Sequence, residues 1–397
     1  VGAPLVRGSV LLFGGIVVGN LGHYLFQMYM SRNLRVEDFG ALNSLLSLLA
    51  LISIPSGTIL LVTARQVAEL GSHDAVGAFF RGTLARVSVV AASLLALSLA
   101  LGPKVGKFLR VTSPLPVLIL AGVVAVTLVT SAGLGVLQGL KKFFHLALNQ
   151  GLAGLLRLAF GVVLSPYRLN GALLATLLSA AVVWGVSLVP LREFLRGRGG
   201  YRADLDLGAW APVMGALFCF ALLTNADLIL VKHYFRAELA GIYSAASVLG
   251  KALLFLPMSV ALALFPLVPG SSEVASKRTA ERALILAGAG LGVGTALFLL
   301  FPGLILGLVF GRTYSDAGDI LRWFGLAAPP YGLAYVLVHY HLAKWRYKFL
   351  YPMALACTAE LVLIGTFHGS LLQVVRSFAG VGYGLLLGLW GVEFFRR

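Results

Sequence analysis

The sequence predicts an all-α, polytopic membrane protein of about 12 transmembrane helices in two six-helix halves. Three observations carry that expectation. Of 397 residues, 59% are hydrophobic and 12% charged, against roughly 25% charged in an average soluble domain. The apolar residues fall in long runs, and mean hydropathy is +0.93. A short polar motif recurs at equivalent places in the two halves. A soluble globular chain cannot bury this much apolar surface, and a disordered or collagen-like chain is not this apolar. The net charge of +16 would point to nucleic acid in a polar chain. In this one it is read against a bilayer, with no nucleic-acid partner.

The first half contains apolar runs at Gly8–Ser31, Ala41–Ala64, Phe79–Leu101, Val117–Gly139, Phe144–Ser165 and Gly171–Leu191. The second contains Ala209–Val231, Ile242–Val268, Ala283–Phe310, Trp323–Ala343, Phe349–Phe367 and Ser377–Phe394. The tightest connection is the turn Lys344 to Lys348. Every loop is too short for a soluble domain, so function is expected within the bundle or at its rims. The expected organisation is residues 1–195 as the N-terminal half, 196–208 as a basic cytoplasmic linker and 209–397 as the C-terminal half.

Short-loop Lys and Arg set the orientation. Seventeen fall on the side carrying both termini and 11 on the other, which places both termini in the cytoplasm of an inner-membrane protein. Cys219 and Cys357 lie in apolar runs, where neither a disulfide framework nor a metal site is expected. His339 and His341 point to nearly opposite helix faces, so no metal site is expected there either. No phosphate-binding Gly-x-x-x-x-Gly-Lys motif occurs, and no cofactor is expected.

The repeated motif is Arg-x-Glu-x-x-Gly. It reads Arg35, Glu37, Gly40 in the first half and Arg236, Glu238, Gly241 in the second, 201 residues on. Each copy precedes a long apolar helix with a proline 15 or 16 residues after the glycine, at Pro55 and Pro257; both prolines are candidate hinges. Pro302 and the Pro329–Pro330 pair also interrupt apolar runs. Glycines spaced by four, at 15 and 19, at 303, 307 and 311, and at 380, 384 and 388, suggest close helix packing.

Residues 31–57 and 225–268, which carry the two motif copies, resemble polysaccharide-type flippases of the multidrug/oligosaccharidyl-lipid/polysaccharide exporter superfamily. The clearest marks are the run Gly241–Ala246 and the pair Phe265–Pro266. The resemblance implies a V-shaped alternating-access bundle. It also implies a transporter, not an enzyme, that moves undecaprenyl-diphosphate-linked oligosaccharide across the cytoplasmic membrane for O-antigen or exopolysaccharide export. Implied partners are the lipid-linked oligosaccharide, membrane lipid, and a polysaccharide polymerase and glycosyltransferases. A monomer is expected. Alternatives are an integral membrane enzyme of polysaccharide assembly, a polymerase or glycosyltransferase, and a drug/cation antiporter of the same superfamily.

Ionisable groups at bilayer depth are functional candidates. Lys251 lies deep in the eighth run; flippases of this kind carry cations on helices 1, 2 and 8 for a diphosphate, and this chain offers none deep in helices 1 and 2. Arg157, in the fifth run, suits phosphate or a sugar carboxylate, or else an ion pair with Asp227 or Glu360. Arg86 is expected to snorkel to the interface. Asn20, His23 and Gln27 form a polar stripe on the first helix that could meet sugar hydroxyls, or pack as an interhelical contact. Asp227 and Glu360 are candidates for ion coupling or a structural ion pair.

Overall fold

A computed structural model describes residues 2–70, 72–111, 113–196, 207–264, 273–344 and 346–394. Among them there is no strand. The chain divides into two compact units, Val1–Ala211 and Pro212–Arg397. The first contains α1 (Gly2–Asn33), α2 (Val36–Ile52), α3 (Ile54–Glu69), α4 (His73–Phe108), α5 (Leu115–Gly139), α6 (Phe143–Leu164), α7 (Arg168–Leu188) and the short α8 (Arg192–Leu195). The boundary falls in α9 (Leu207–Tyr234). The second unit continues with α10 (Ala237–Ala252), α11 (Phe255–Leu264), α12 (Glu273–Leu300), α13 (Pro302–Val309), α14 (Gly318–Ala343), α15 (Leu350–Thr366) and α16 (Leu371–Phe394). Over their described residues the twelve expected spans are helical apart from local breaks in the second, eighth and ninth. Among the described residues, nine helical stretches are long and apolar enough to cross a membrane, and one of them contains both α6 and α7. The chain is a multi-pass membrane protein. Most of the expected linker and the Phe265–Pro266 pair lie outside the described residues.

Both motif copies are helix starts. Arg35 (φ −63°, ψ 152°) precedes α2, and Arg236 (φ −62°, ψ 149°) precedes α10. Extended backbone at that position lets the arginine carbonyl accept the first helical bond, from Phe39 N–H at 2.9 Å and from Ala240 N–H at 3.0 Å. Glu37 and Glu238 stand in the first turn, where the helix dipole favours negative charge. Both following helices then break at the same distance from the motif. Ser53 ends α2 and Pro55 starts the next turn; Leu253 and Leu254 separate α10 from α11, with Pro257 just beyond.

In an apolar medium every freed backbone carbonyl must find another partner. Pro329 and Pro330 cannot donate to Gly325 and Leu326. Thr295 Oγ1 donates to the Gly325 carbonyl at 2.8 Å, and Tyr383 Oη to that of Leu326 at 3.1 Å. Helix α14 therefore runs through the pair without a break. This corrects the expectation of an interruption there. At Pro302 the chain does break, dividing the ninth expected run into α12 and α13.

The first unit is held by α1 against α6, its most extensive helix pair. Gly15, Gly19 and Gly22 lie directly on the backbone of Ala147, Gln150 and Gly154. Phe26 and Met30 then pack onto Gly161. Gly135 and Gly139 bring α5 onto α3 in the same way. The glycines of α16 depart from expectation. Gly380 and Gly384 face open space, and Gly382 and Gly388 make the contacts, with Tyr331 and Pro352. Gly307 also faces open space, and Gly311 serves a turn at φ 107°.

At one rim of the first unit, Arg81 donates to the Phe194 carbonyl at 2.8 Å and Lys142 to that of Pro190 at 3.2 Å, which docks α8 under α4 and α6. In the second unit, Glu273 holds Lys344 at 3.3 Å and Arg346 at 3.2 Å, which fixes the short turn between α14 and α15.

Three outcomes follow for stability in detergent. Gly154→Leu is expected to lower stability by at least about 1–3 kcal/mol, because the added atoms meet backbone. Gly384→Leu, facing open space, is expected to melt with the parent protein. Thr295→Val is expected to cost about 1–3 kcal/mol by orphaning the Gly325 carbonyl. Thermal unfolding of the purified variants measures each.

Candidate functional site

Polar and ionisable side chains gather at two interior places, one in each unit. In the second unit Asp227, on α9, is fully buried. Tyr243, Ser247 and Lys251 follow one another at four-residue spacing on α10 and all reach it. Lys251 Nζ donates to both carboxylate oxygens, at 2.7 and 2.9 Å. Tyr243 Oη donates to Oδ2 at 3.1 Å and Ser247 Oγ at 3.3 Å. The ammonium also lies 5.6 Å from the Phe324 ring and 5.4 Å from that of Phe378.

Lys251, a candidate for holding a diphosphate, is ion-paired in this structure. Its charge is neutralised within its own unit, and Asp227 is its partner, not that of Arg157. The stripe Tyr243, Ser247, Lys251 was available in the sequence as an i, i+4, i+8 pattern. Only the facing of α9 and α10 shows that it converges on one carboxylate.

Glu360, on α15, is also fully buried. It lies within electrostatic range of Asp227 and Lys251, yet neither of its oxygens has a hydrogen-bond partner. Nearby, the Cys357 thiol donates to the Cys219 carbonyl at 3.5 Å. Both cysteines are free.

The first unit has a half-open cavity of about 330 Å³ lined by α1, α2, α3, α5, α6 and α7. Arg157 and His23 line it from α6 and α1. The Arg157 guanidinium stacks on the Phe26 ring at 4.4 Å, while its buried Nε and Nη2 have no hydrogen-bond partner. His23 Nδ1 is likewise buried and unpartnered. No acidic residue occurs between Asp74 and Glu193, so α4 to α7 offer Arg157 no counter-charge.

The rest of the wall carries hydroxyls. Thr127, Thr130 and Ser131 donate to carbonyls of their own helix at 2.6–2.7 Å, and Thr176 and Ser179 do so at 3.1 Å. With their hydrogens turned inward, they show oxygen lone pairs to the cavity. The cavity thus combines one unpaired cation with a ring of acceptors. That set suits an anion bearing hydroxyl groups.

The expected stripe on α1 separates. His23 lines the cavity. Gln27 Nε2 donates to Asn43 Oδ1 at 2.9 Å and ties α1 to α2. Asn20 is exposed. Arg86 lies on the exposed flank of α4. The motif residues Arg35, Glu37, Arg236 and Glu238 sit at helix starts and line neither interior place. Sequence reasoning missed the cavity hydroxyls because single threonines and serines inside apolar runs carry no pattern of their own.

Solved structures share this architecture. The chain is similar to the lipid II flippase MurJ in its inward closed conformation. The TM-score is 0.77 at 12% identity, over 98% of this chain and 87% of that one. The fold is that of flippase and multidrug-exporter structures. An inward-facing multidrug resistance MATE family transporter matches with TM-score 0.77 at 11% identity, over 97% of this chain and all of that one. The MATE multidrug transporter DinF-BH, solved as a complex, matches with TM-score 0.70 at 14% identity, over 100% of this chain and 96% of that one. No family model and no curated protein matches the sequence.

Removing one partner of a buried pair strands the other. Lys251→Ala is therefore expected to destabilise the protein by about 3–5 kcal/mol. The double variant Asp227→Asn/Lys251→Met, which leaves no charge behind, is expected to recover most of that loss. Unfolding midpoints of the single and double variants in one detergent give the comparison.

Proposed function

We propose that this protein is a transporter that flips a lipid-linked oligosaccharide across the cytoplasmic membrane by alternating access. The substrate class is an undecaprenyl-diphosphate-linked glycan for surface polysaccharide, of the O-antigen or exopolysaccharide kind. Both termini are taken as cytoplasmic, from the bias of 17 basic rim residues against 11.

The observation that carries this reading is Arg157. A cation in an apolar interior with no counter-charge is costly, and the wall around it supplies acceptors and no acid. A bound diphosphate balances the guanidinium with bidentate, charge-assisted hydrogen bonds. Sugar hydroxyls donate to the lone pairs of Thr127, Thr130 and Ser131. His23 adds a second nitrogen beside the anion. Lys251 acts on this reading through its pair with Asp227, as a fixed element of the second unit.

Glu360 is assigned to energy coupling. It is the buried carboxylate that Lys251 does not hold, and the proton or metal cation of an ion gradient can balance it. The same carboxylate favours a second reading, a drug/cation antiporter, in which a cationic substrate binds in the second unit.

Reconstituted vesicles separate the two. A fluorescent diphosphate-linked oligosaccharide is placed in the inner leaflet, and its exposure to an impermeant quencher is followed. Arg157→Gln is expected to slow exposure by about tenfold to a hundredfold, the equivalent of one to two charge-assisted bonds. Glu360→Gln is expected to abolish the dependence on an imposed ion gradient. Parent rates in Arg157→Gln, together with gradient-driven efflux of an organic cation by the parent protein, would establish the antiporter reading instead.

A further inference from the structure

A second concave feature of the first unit has different chemistry. Leu48 and Ile52 of α2, Leu97 and Leu101 of α4, and Val117 and Leu120 of α5 line a groove of about 150 Å³. Ser98 is the one hydroxyl-bearing residue in its wall, and it already donates to the Leu95 carbonyl at 2.7 Å. Nothing in the groove can recognise a sugar. Groove-lining Val124 and Leu94 and cavity-lining Leu49 belong to one apolar cluster with Val87 and Leu128, and the groove and the Arg157 cavity share no lining residue. The groove is open along the flank of α4 where its lining residues Leu97 and Leu101 are exposed.

The end of α4 beside the groove carries two lysines, neither of them part of the groove wall. Lys104 lies three residues beyond Leu101, on the same side of α4, and Lys107 follows one turn later. Both are exposed and have no carboxylate partner among the described residues. The groove thus lies beside a cationic helix end and runs between apolar side chains, an arrangement that fits a lipid in one leaflet. Its wall includes Ile52, beside the Ser53 break between α2 and α3. The second unit has a comparable groove at its own break, lined by Leu253, Leu256, Gly290 and Gly294. The cation at that helix end, Arg322, is already held by Asp319 at 2.8 Å and by the Leu299 carbonyl at 3.3 Å.

We propose that the groove between α2, α4 and α5 binds one acyl chain of an anionic phospholipid of the bilayer, with its headgroup phosphate held by Lys104 and Lys107. The chain supports Ile52 from the lipid side, so occupancy braces the break between α2 and α3. This site does not depend on the transport assignment, since it shares no polar residue with the Arg157 cavity.

Native mass spectrometry of the purified full-length protein, titrated with phosphatidylglycerol or phosphatidylcholine, tests it. The parent is expected to retain one phosphatidylglycerol in preference to phosphatidylcholine. The double variant Lys104→Gln/Lys107→Gln is expected to bind phosphatidylglycerol about tenfold or more weakly, from the loss of two cations near a phosphate. Ala121→Leu, which fills the groove, is expected to lose the adduct. Both substitutions lie away from the tightly packed helix faces, and melting in lipid-free detergent checks that each variant is folded. Equal retention of the two lipids by the parent, or parent-like retention of phosphatidylglycerol by either variant, overturns the proposal. Preferential retention of a polyprenyl phosphate over phosphatidylglycerol overturns the choice of occupant and assigns the groove to the cargo's tail.

Discussion

An ammonium and a carboxylate 2.7 Å apart, with two hydroxyls donating to the same carboxylate, form the polar centre of the second unit. The pair answers a constraint that governs this whole protein. Helices surrounded by hydrocarbon have no water to satisfy a charge or a free carbonyl, so each such group must be met by another part of the chain. Lys251 meets Asp227, Thr295 and Tyr383 meet the carbonyls left by two prolines, and Gln27 meets Asn43. Where the constraint is met, the structure is closed and has no capacity left for a ligand.

The informative places are those where it is not met. Arg157 keeps two guanidinium nitrogens without a partner, and Glu360 keeps both carboxylate oxygens without one. The two imbalances are of opposite sign and lie in different units. A cation beside a wall of hydroxyl acceptors calls for an anionic, hydroxylated ligand. A carboxylate buried near an occupied ion pair calls for a small cation. The proposed anionic cargo rests on the first imbalance and the proposed cation coupling on the second, and the two share no residue.

The fold was largely legible from composition and spacing. Apolar runs of membrane length become helices because the backbone has no alternative in hydrocarbon. The Arg-x-Glu-x-x-Gly repeat is a local helix start, so its two copies adopt nearly the same backbone angles. The breaks near Pro55 and Pro257 follow from the missing amide hydrogen. Proline alone was a poorer guide at Pro329–Pro330, because the side chains that rescue the helix there come from α12 and α16. Glycine spacing misled for a similar reason: Gly15 and Gly19 face a helix, whereas Gly380 and Gly384 face open space.

The class of protein, the helical segments, the short list of buried charges and the candidate hinges can all be read along the chain. Each of these depends on chain-local properties: hydropathy, charge and the backbone chemistry of glycine and proline. Tertiary structure alone decided which charge is neutralised. Lys251 and Arg157 look alike along the chain, each a cation within an apolar run. One faces Asp227 across a helix pair, and the other faces a cavity in a stretch without acids. Pairing energy falls off within a few ångströms, so the difference between a paired cation and one without a counter-charge belongs to the packing of helices.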